Sequence, residues 1–250
     1  MTQFFPHEKL DVYVEALSFT RVAAELVDRW PASVSVHDQL DRASESILTN
    51  LARSARLHRT AQGIYFLECS LGSVLESAAC LDVASLKGLI ENDMLHSGKR
   101  QLQTVARMQM GLRRAWSKSV HEDAEQYGVE ADVYFPHETL HVYQRSLQLY
   151  GVLEMRVLGV EKRRHRYARR IDEVATSLPL NIAEGNGRFS HLDHSKFVEI
   201  AEDAGTKLAA YLDLAEGLWS ADVDPARPML REVMAMLAGL RGYLDSEGEQ

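Results

Sequence analysis

The chain has 250 residues, 46% of them hydrophobic and 26% charged, a globular composition with room for one large domain or two small ones. Its formal charge of −8 excludes indiscriminate coating of nucleic acid and leaves local basic patches as the route to phosphate. No run approaches the ~20 uninterrupted apolar residues of a bilayer span, and the opening MTQFFPHEKL lacks a basic segment ahead of a long apolar core, so a cytoplasmic protein with no membrane partner is expected.

In chain order, Leu10, Tyr13, Val14, Leu17, Ala24 and Val27 recur at three and four and predict a first helix that Trp30-Pro31 ends. Further amphipathic helices are predicted at about 36–57, 61–91 and 98–126. Cys69 and Cys80 stand eleven residues apart in one helical run, roughly 16 Å at the helical rise. That is out of disulfide range, and both read as packed thiols. The second half repeats the pattern with helices at about 137–160, 165–184, 191–219 and 226–245, the last opened by Asp224-Pro225 and Pro228. Neither sustained period-two alternation nor an Asn-Gly hairpin signal occurs. The expected fold is all-α, two tandem up-down four-helix bundles.

The halves are written alike. FFPHEKLDVY at 4–13 and YFPHETLHVY at 134–143 share seven of ten positions. At a spacing of 131, Asp41, Ser46, Asn50, Ala52, Phe66 and Glu68 fall on Asp172, Ser177, Asn181, Ala183, Phe197 and Glu199, and LDVA at 81–84 falls on LDLA at 212–215. This pattern reads as a tandem duplication with a whole domain as its period, copy one at 1–128 and copy two at 129–250, with Gly128 as the break. Phe-Pro-His-Glu occurs in both copies; Phe5 and Phe135 are expected to seat the first helix of each, Pro6 and Pro136 to start it.

The stretch PLNIAEGNGRFS, 179–190, places Asn181, Glu184 and two glycines in an apolar helical run. Asn and Gly both cost stability inside a helix, so a helix end is expected there, with Gly185 or Gly187 in the left-handed position that stops it. Ser190 then caps the next helix, since Ser-His-Leu-Asp at 190–193 has the form of a capping box. Asn181 and Glu184 share a face and, if buried, need hydrogen-bond partners such as loop N–H groups.

These residues carry a resemblance. Ser177, Asn181, Ile182, Ala183, Glu184, Gly185, Gly187, Arg188, Ser190, Asp193, Phe197, Ile200 and Ala201 resemble the signature of the four-helix-bundle family encoded in intervening sequences of 23S ribosomal RNA genes. The accessory variability determinant (Avd) of diversity-generating retroelements is related to that family. The family pattern continues with Gly-Ser-x-x-Glu. Copy one keeps it as Gly72-Ser73-Val74-Leu75-Glu76, while copy two has Asp203-Ala204-Gly205-Thr206-Lys207; conversely copy one has lost the turn that copy two keeps. The resemblance implies a non-enzymatic adaptor and, because members form rings, typically pentamers, a homo-oligomer. A reverse transcriptase or another nucleic-acid enzyme is its implied protein partner.

The residues themselves offer little catalytic chemistry. His191 and His194 at i, i+3 read as cap-region histidines rather than metal ligands, for no repeated Glu-x-x-His accompanies them. No nucleophile has a base and an orienting group at a sensible spacing, and GNG at 185–187 lacks the Lys-Ser/Thr of a phosphate loop, so no enzyme activity, metal or cofactor is expected. Two basic segments stand out. Between Lys99 and Lys118 there are six basic residues and no acid, with Arg100, Arg107 and Arg114 repeating every seven and Lys118 one turn on. The second segment holds Lys162, Arg163, Arg164, Arg166, Arg169 and Arg170 around His165 and Tyr167. One reading is phosphate contact with RNA or DNA, Tyr167 stacking on a base or sugar. The other is a purely protein-binding scaffold, its arginines joining subunits or gripping an acidic partner.

Overall fold

The computed structural model describes residues 5–117, 133–159 and 167–248 and has eight α-helices there. In the first half α1 (Asp11–Val27), α2 (Ser35–Arg56), α3 (Ala61–Leu86) and α4 (Asn92–Trp116) each pack on the next, and α4 closes back on α1. In the second half α5 (His141–Leu153), α6 (Ala168–Asn186), α7 (His191–Trp219) and α8 (Ala226–Gly248) form the same closed circuit, α8 returning to α5. Each half is therefore an up-down four-helix bundle, and the described residues contain no strand. The expected boundary at Gly128 lies outside the described residues.

The repeated Phe-Pro-His-Glu folds the same way in both halves. Pro6 and Pro136 each open a one-turn 3-10 helix, Pro6–Lys9 and Pro136–Thr139, ahead of α1 and α5 rather than starting those helices directly. The Glu side chain reaches back to a backbone N–H: Phe5 donates to Glu8 (2.8 Å) and Tyr134 to Glu138 (2.7 Å). The histidine stacks on the phenylalanine, at 5.7 Å between centroids in each half, and meets Tyr13 at 4.5 Å or Tyr143 at 4.6 Å. The surroundings differ. Phe135 and His137 are buried, whereas Phe5 is 66% exposed, so the seating role expected of Phe5 is filled only by its counterpart.

The bundles meet along α3 and α6, with α2 touching α6 and α5 touching α3. One continuous apolar core runs through both, from Phe19, Leu40 and Leu51 through Leu71 and Leu75 to Ile182 and Leu208. At its centre lies α3. It is long and apolar enough to cross a membrane by length and composition, yet helices cover it on all sides and most of it is buried.

Some bounds moved for identifiable reasons. The helix expected at 98–126 is α4, which starts six residues earlier, after Glu91 in extended conformation, and ends at Trp116. The helix expected at 137–160 is divided: α5 stops at Leu153 and a π-helical turn, Glu154–Leu158, follows. That widened turn delivers Glu154 to Lys87 of the other bundle, 3.1 Å away. Ser190 caps α7 as expected, accepting from the Asp193 amide at 3.4 Å.

Candidate functional site

The signature stretch lies at the joint between the bundles. Neither glycine of the AEGNG segment is left-handed: α6 continues to Asn186 and Gly187 follows at φ −81. The reason for glycine is closeness. A Cβ on Gly187 would come within 2.6 Å of Leu75 Cδ1 and 3.2 Å of the Gly72 backbone, and one on Gly185 within 2.9 Å of Phe197 Cβ. Gly72 of α3 is likewise pressed against Arg188 and Glu184. Gly72 and Glu76 of α3 therefore meet Glu184, Gly187 and Arg188 of the second half.

Around this contact Arg188 organises the polar groups. It donates to Glu184 at 2.6 Å and to Cys69 Sγ of α3 at 3.2 Å, while its guanidinium sits 4.7 Å from the Phe197 ring centre. Glu76 of α3 is held by burial and by the nearby Glu184 in a site that pushes its pKa up to about 8, against the opposing pull of Arg42 and Arg188. Burial also raises Glu184, and Arg188 works against that rise. Two acids at one buried joint cannot both ionise cheaply, so Glu76 keeps its proton near neutrality. Asn181 does not reach loop amides; its side chain donates to the Ser177 carbonyl (2.8 Å) and hydroxyl (2.9 Å) on its own helix. His194, packed against Gly185, has its pKa lowered to about 4 by burial and by His191.

Further along the joint, charge pairing that the sequence reading missed ties the bundles together. Lys87, at the end of α3 with its side chain only 2% exposed, is bonded to Asp172 of α6 (2.8 Å) and to Glu154. Asp172 also accepts from the Tyr150 hydroxyl (2.5 Å) and the Ser35 amide (2.8 Å). These partners hold its carboxyl below the usual range although burial pushes the other way. Lys99 bridges Asp82 and Glu138, and Tyr143 donates to Asp82 at 2.7 Å. Burial opposes the charge on Lys99, and the two acids overcome it and raise its pKa. The available signal was Lys87 itself, a lone charge closing the most apolar stretch of the chain, but nothing local named its partners.

A cavity of ≈ 70 Å³ beside Lys87 and Asp172 has room for a few water molecules. The Ser35 and Thr176 hydroxyls near it are bonded to each other at 2.6 Å. The joint is thus suited to holding helices in register.

The candidate phosphate contacts lie elsewhere. Arg100, Arg107 and Arg114 are exposed along α4, and Arg107 and Arg114 also take part in further intramolecular interactions. Lys118, Lys162, Arg163, Arg164 and Arg166 lie outside the described residues. Tyr167 precedes the first residue of α6, 6.4 Å from the Tyr211 ring, with Arg170 5.8 Å from its ring centre; Arg169 pairs with Glu173 at 3.0 Å. Arg113 of α4 grips Glu68 (2.9 Å) and stacks on Phe189 (3.7 Å), pinning the turn between α6 and α7 to the first bundle.

Residues 8–111 match the model of a family described as 23S rRNA-intervening sequence protein. That stretch is similar to the 23S rRNA-intervening sequence proteins. The match takes in α1 to α3 and α4 as far as Gly111, and so falls on the first bundle, while the signature residues read at 177–201 belong to the second. No curated protein and no solved structure matches the chain. The matched stretch has its central helix α3 closed over by α6 of the following bundle.

Proposed function

We propose that the chain is a non-enzymatic adaptor that holds nucleic acid, or a protein that processes it such as a reverse transcriptase, on a rigid pair of helical bundles. The observation that carries this reading is where the charges go. The signature's Glu184 and Arg188 bond each other and the neighbouring bundle, while α4 lines up Arg100, Arg107 and Arg114 on one exposed face. Charge segregated in this way on an acidic chain is the footprint of phosphate contact. The match of residues 8–111 to a family named for 23S rRNA intervening sequences supports the same direction. The resemblance to the retroelement accessory protein points to a reverse transcriptase as the protein partner.

The test is a salt titration of binding to single-stranded and duplex oligonucleotides. Each lost phosphate contact removes close to one unit from the log–log slope, so replacing Arg100, Arg107 and Arg114 by Gln is expected to flatten it by about two to three. Replacement of Arg163, Arg166 and Arg170 tests the second segment in the same way. Failure of the unaltered protein to bind at low salt would refute direct contact.

A second reading, a purely protein-binding scaffold, is favoured by the engagement of Arg169 with Glu173 and of Arg170 with Tyr167. Under that reading the same variants leave nucleic acid unaffected and lose a protein partner instead.

A further inference from the structure

The two central helices carry corresponding faces with opposite fates. At the spacing of 131, Cys69, Gly72, Glu76, Ala79 and Val83 of α3 fall on Ile200, Asp203, Lys207, Ala210 and Leu214 of α7. On α3 that face is roofed by the second bundle; on α7 all five residues are exposed. Repeating the internal joint between chains would require α2 to play the part of α6. It is unfit for that: where α6 has buried Thr176, Leu180 and Gly187, α2 has exposed Glu45, Thr49 and Arg56. Head-to-tail growth is thereby closed at one end, and the open face of α7 needs another occupant.

The α7 stripe is complementary to itself. Steps of three and four mark out a single seam, entirely exposed, from Leu192 to Leu218. Turned end for end about the level of residue 205, Leu192 meets Leu218, Ile200 meets Ala210, and Asp203 meets Lys207. The remaining position brings Lys196 to Leu214, where the lysine stem can cover the leucine while its ammonium stays in water. Leu192 is 67% exposed, Ile200 46% and Leu218 50%, so real apolar area awaits cover along a helix of 29 residues. We propose that two copies of the chain pair through α7, antiparallel about a two-fold axis at the level of residue 205, with Asp203 of each copy facing Lys207 of the other. This surface is separate from the arginines of α4, and the pairing stands whatever those arginines bind.

Light scattering on the full chain at tens of micromolar should give twice 28.2 kDa. Asp203→Lys sets lysine against lysine at two symmetric places and Lys207→Asp sets acid against acid, and each should weaken the dimer about tenfold or more. The exchange of both, D203K with K207D, restores opposite charges and should restore the dimer. Because Asp203 and Lys207 also pair within α7, helicity and melting temperature are followed alongside, and Leu218→Glu, which touches no ion pair, should dissociate the dimer with the fold intact. A 28 kDa mass for the unaltered chain, a dimer indifferent to D203K and L218E, or a well-folded double exchange that stays monomeric would each overturn the proposal.

Discussion

Helices α3 and α7 are the longest in their bundles and share their local devices. A hydroxyl caps each start, Thr60 and Ser190, and a left-handed residue follows each end, Gly88 at φ 67 and Ser220 at φ 52. Yet 16 of 26 residues are buried in α3 and 7 of 29 in α7. Capping and propensity make both helices; what separates them is one face, where Gly72, Ala79 and Val83 admit a neighbour and Asp203, Lys207 and Leu214 stand open. A helix becomes a core element when a second layer arrives to cover it, and only part of that outcome is written in its own residues.

The sharpest way to break the comparison is at corresponding positions near the two C-terminal ends. Lys87→Ala strands Asp172 and Glu154 without their cation and is expected to cost about 3–5 kcal/mol in a urea unfolding series. Leu218→Ala, its counterpart on α7, is exposed and should change unfolding of the monomer by about 0.5 kcal/mol or less. Equal costs would mean that α3 is not the better-anchored helix.

The second test uses pH. The folded pKa of Glu76 lies above its ordinary value of 4.5, so the folded state binds its proton more tightly than the unfolded state. Stability contributed this way is complete below about pH 4.5 and is lost as pH rises towards 8. Glu76→Gln should therefore gain stability over the unaltered chain between pH 5 and pH 9, by on the order of 4 kcal/mol, with little difference at pH 5. His194 acts at the other limb: with its folded pKa lowered to about 4, stability falls as pH drops below 6.5. A flat difference between E76Q and the unaltered chain from pH 5 to 9 would remove Glu76 from the joint.

Glycines give the third test. Gly187→Ala forces a methyl onto Leu75 and Gly72 and should cost about 1–3 kcal/mol. Gly217→Ala, on the open stretch of α7 where an added Cβ meets nothing within 4 Å, should instead stabilise by about 0.5–1 kcal/mol. The smallest effect is expected at Ser220, where the left-handed backbone is strained for serine. Ser220→Gly should raise stability by about 0.5 kcal/mol, seen as a shift of a few degrees or less in melting temperature.

What could be read from the sequence followed from periodicity and local chemistry. The bounds 191–219 of α7 were legible because a hydroxyl cap and a long apolar period coincide there. That Phe-Pro-His-Glu stands twice was legible, but not that each copy folds as its own 3-10 turn with the histidine on the phenylalanine, nor that only Phe135 is buried. The glycines of 185–187 were recognisable as special but for the wrong reason, since close approach and left-handed backbone call for the same residue and only the neighbour distinguishes them. The charges of the joint could not be read. Lys87 finds Glu154 67 residues away, and Ser35 finds Asp172 137 residues away, and no local pattern encodes such separations. The division of α5 has the same character, for its π-helical turn carries Glu154, which meets Lys87 of the other bundle.

The cover of α3 also has a timing. The helix that roofs it, α6, ends about seventy residues after the first bundle is complete, so at roughly 5–20 residues per second the ribosome releases the first bundle roughly 4–14 s before its lid exists. During that interval Ala79 and Val83 face solvent or a chaperone, beside a Lys87 whose partners Glu154 and Asp172 have not been made. Nascent chains halted between residues 117 and 168 are therefore the species in which this protein should be most prone to aggregation, and a chaperone that binds apolar helices should be found on them and not on the finished molecule.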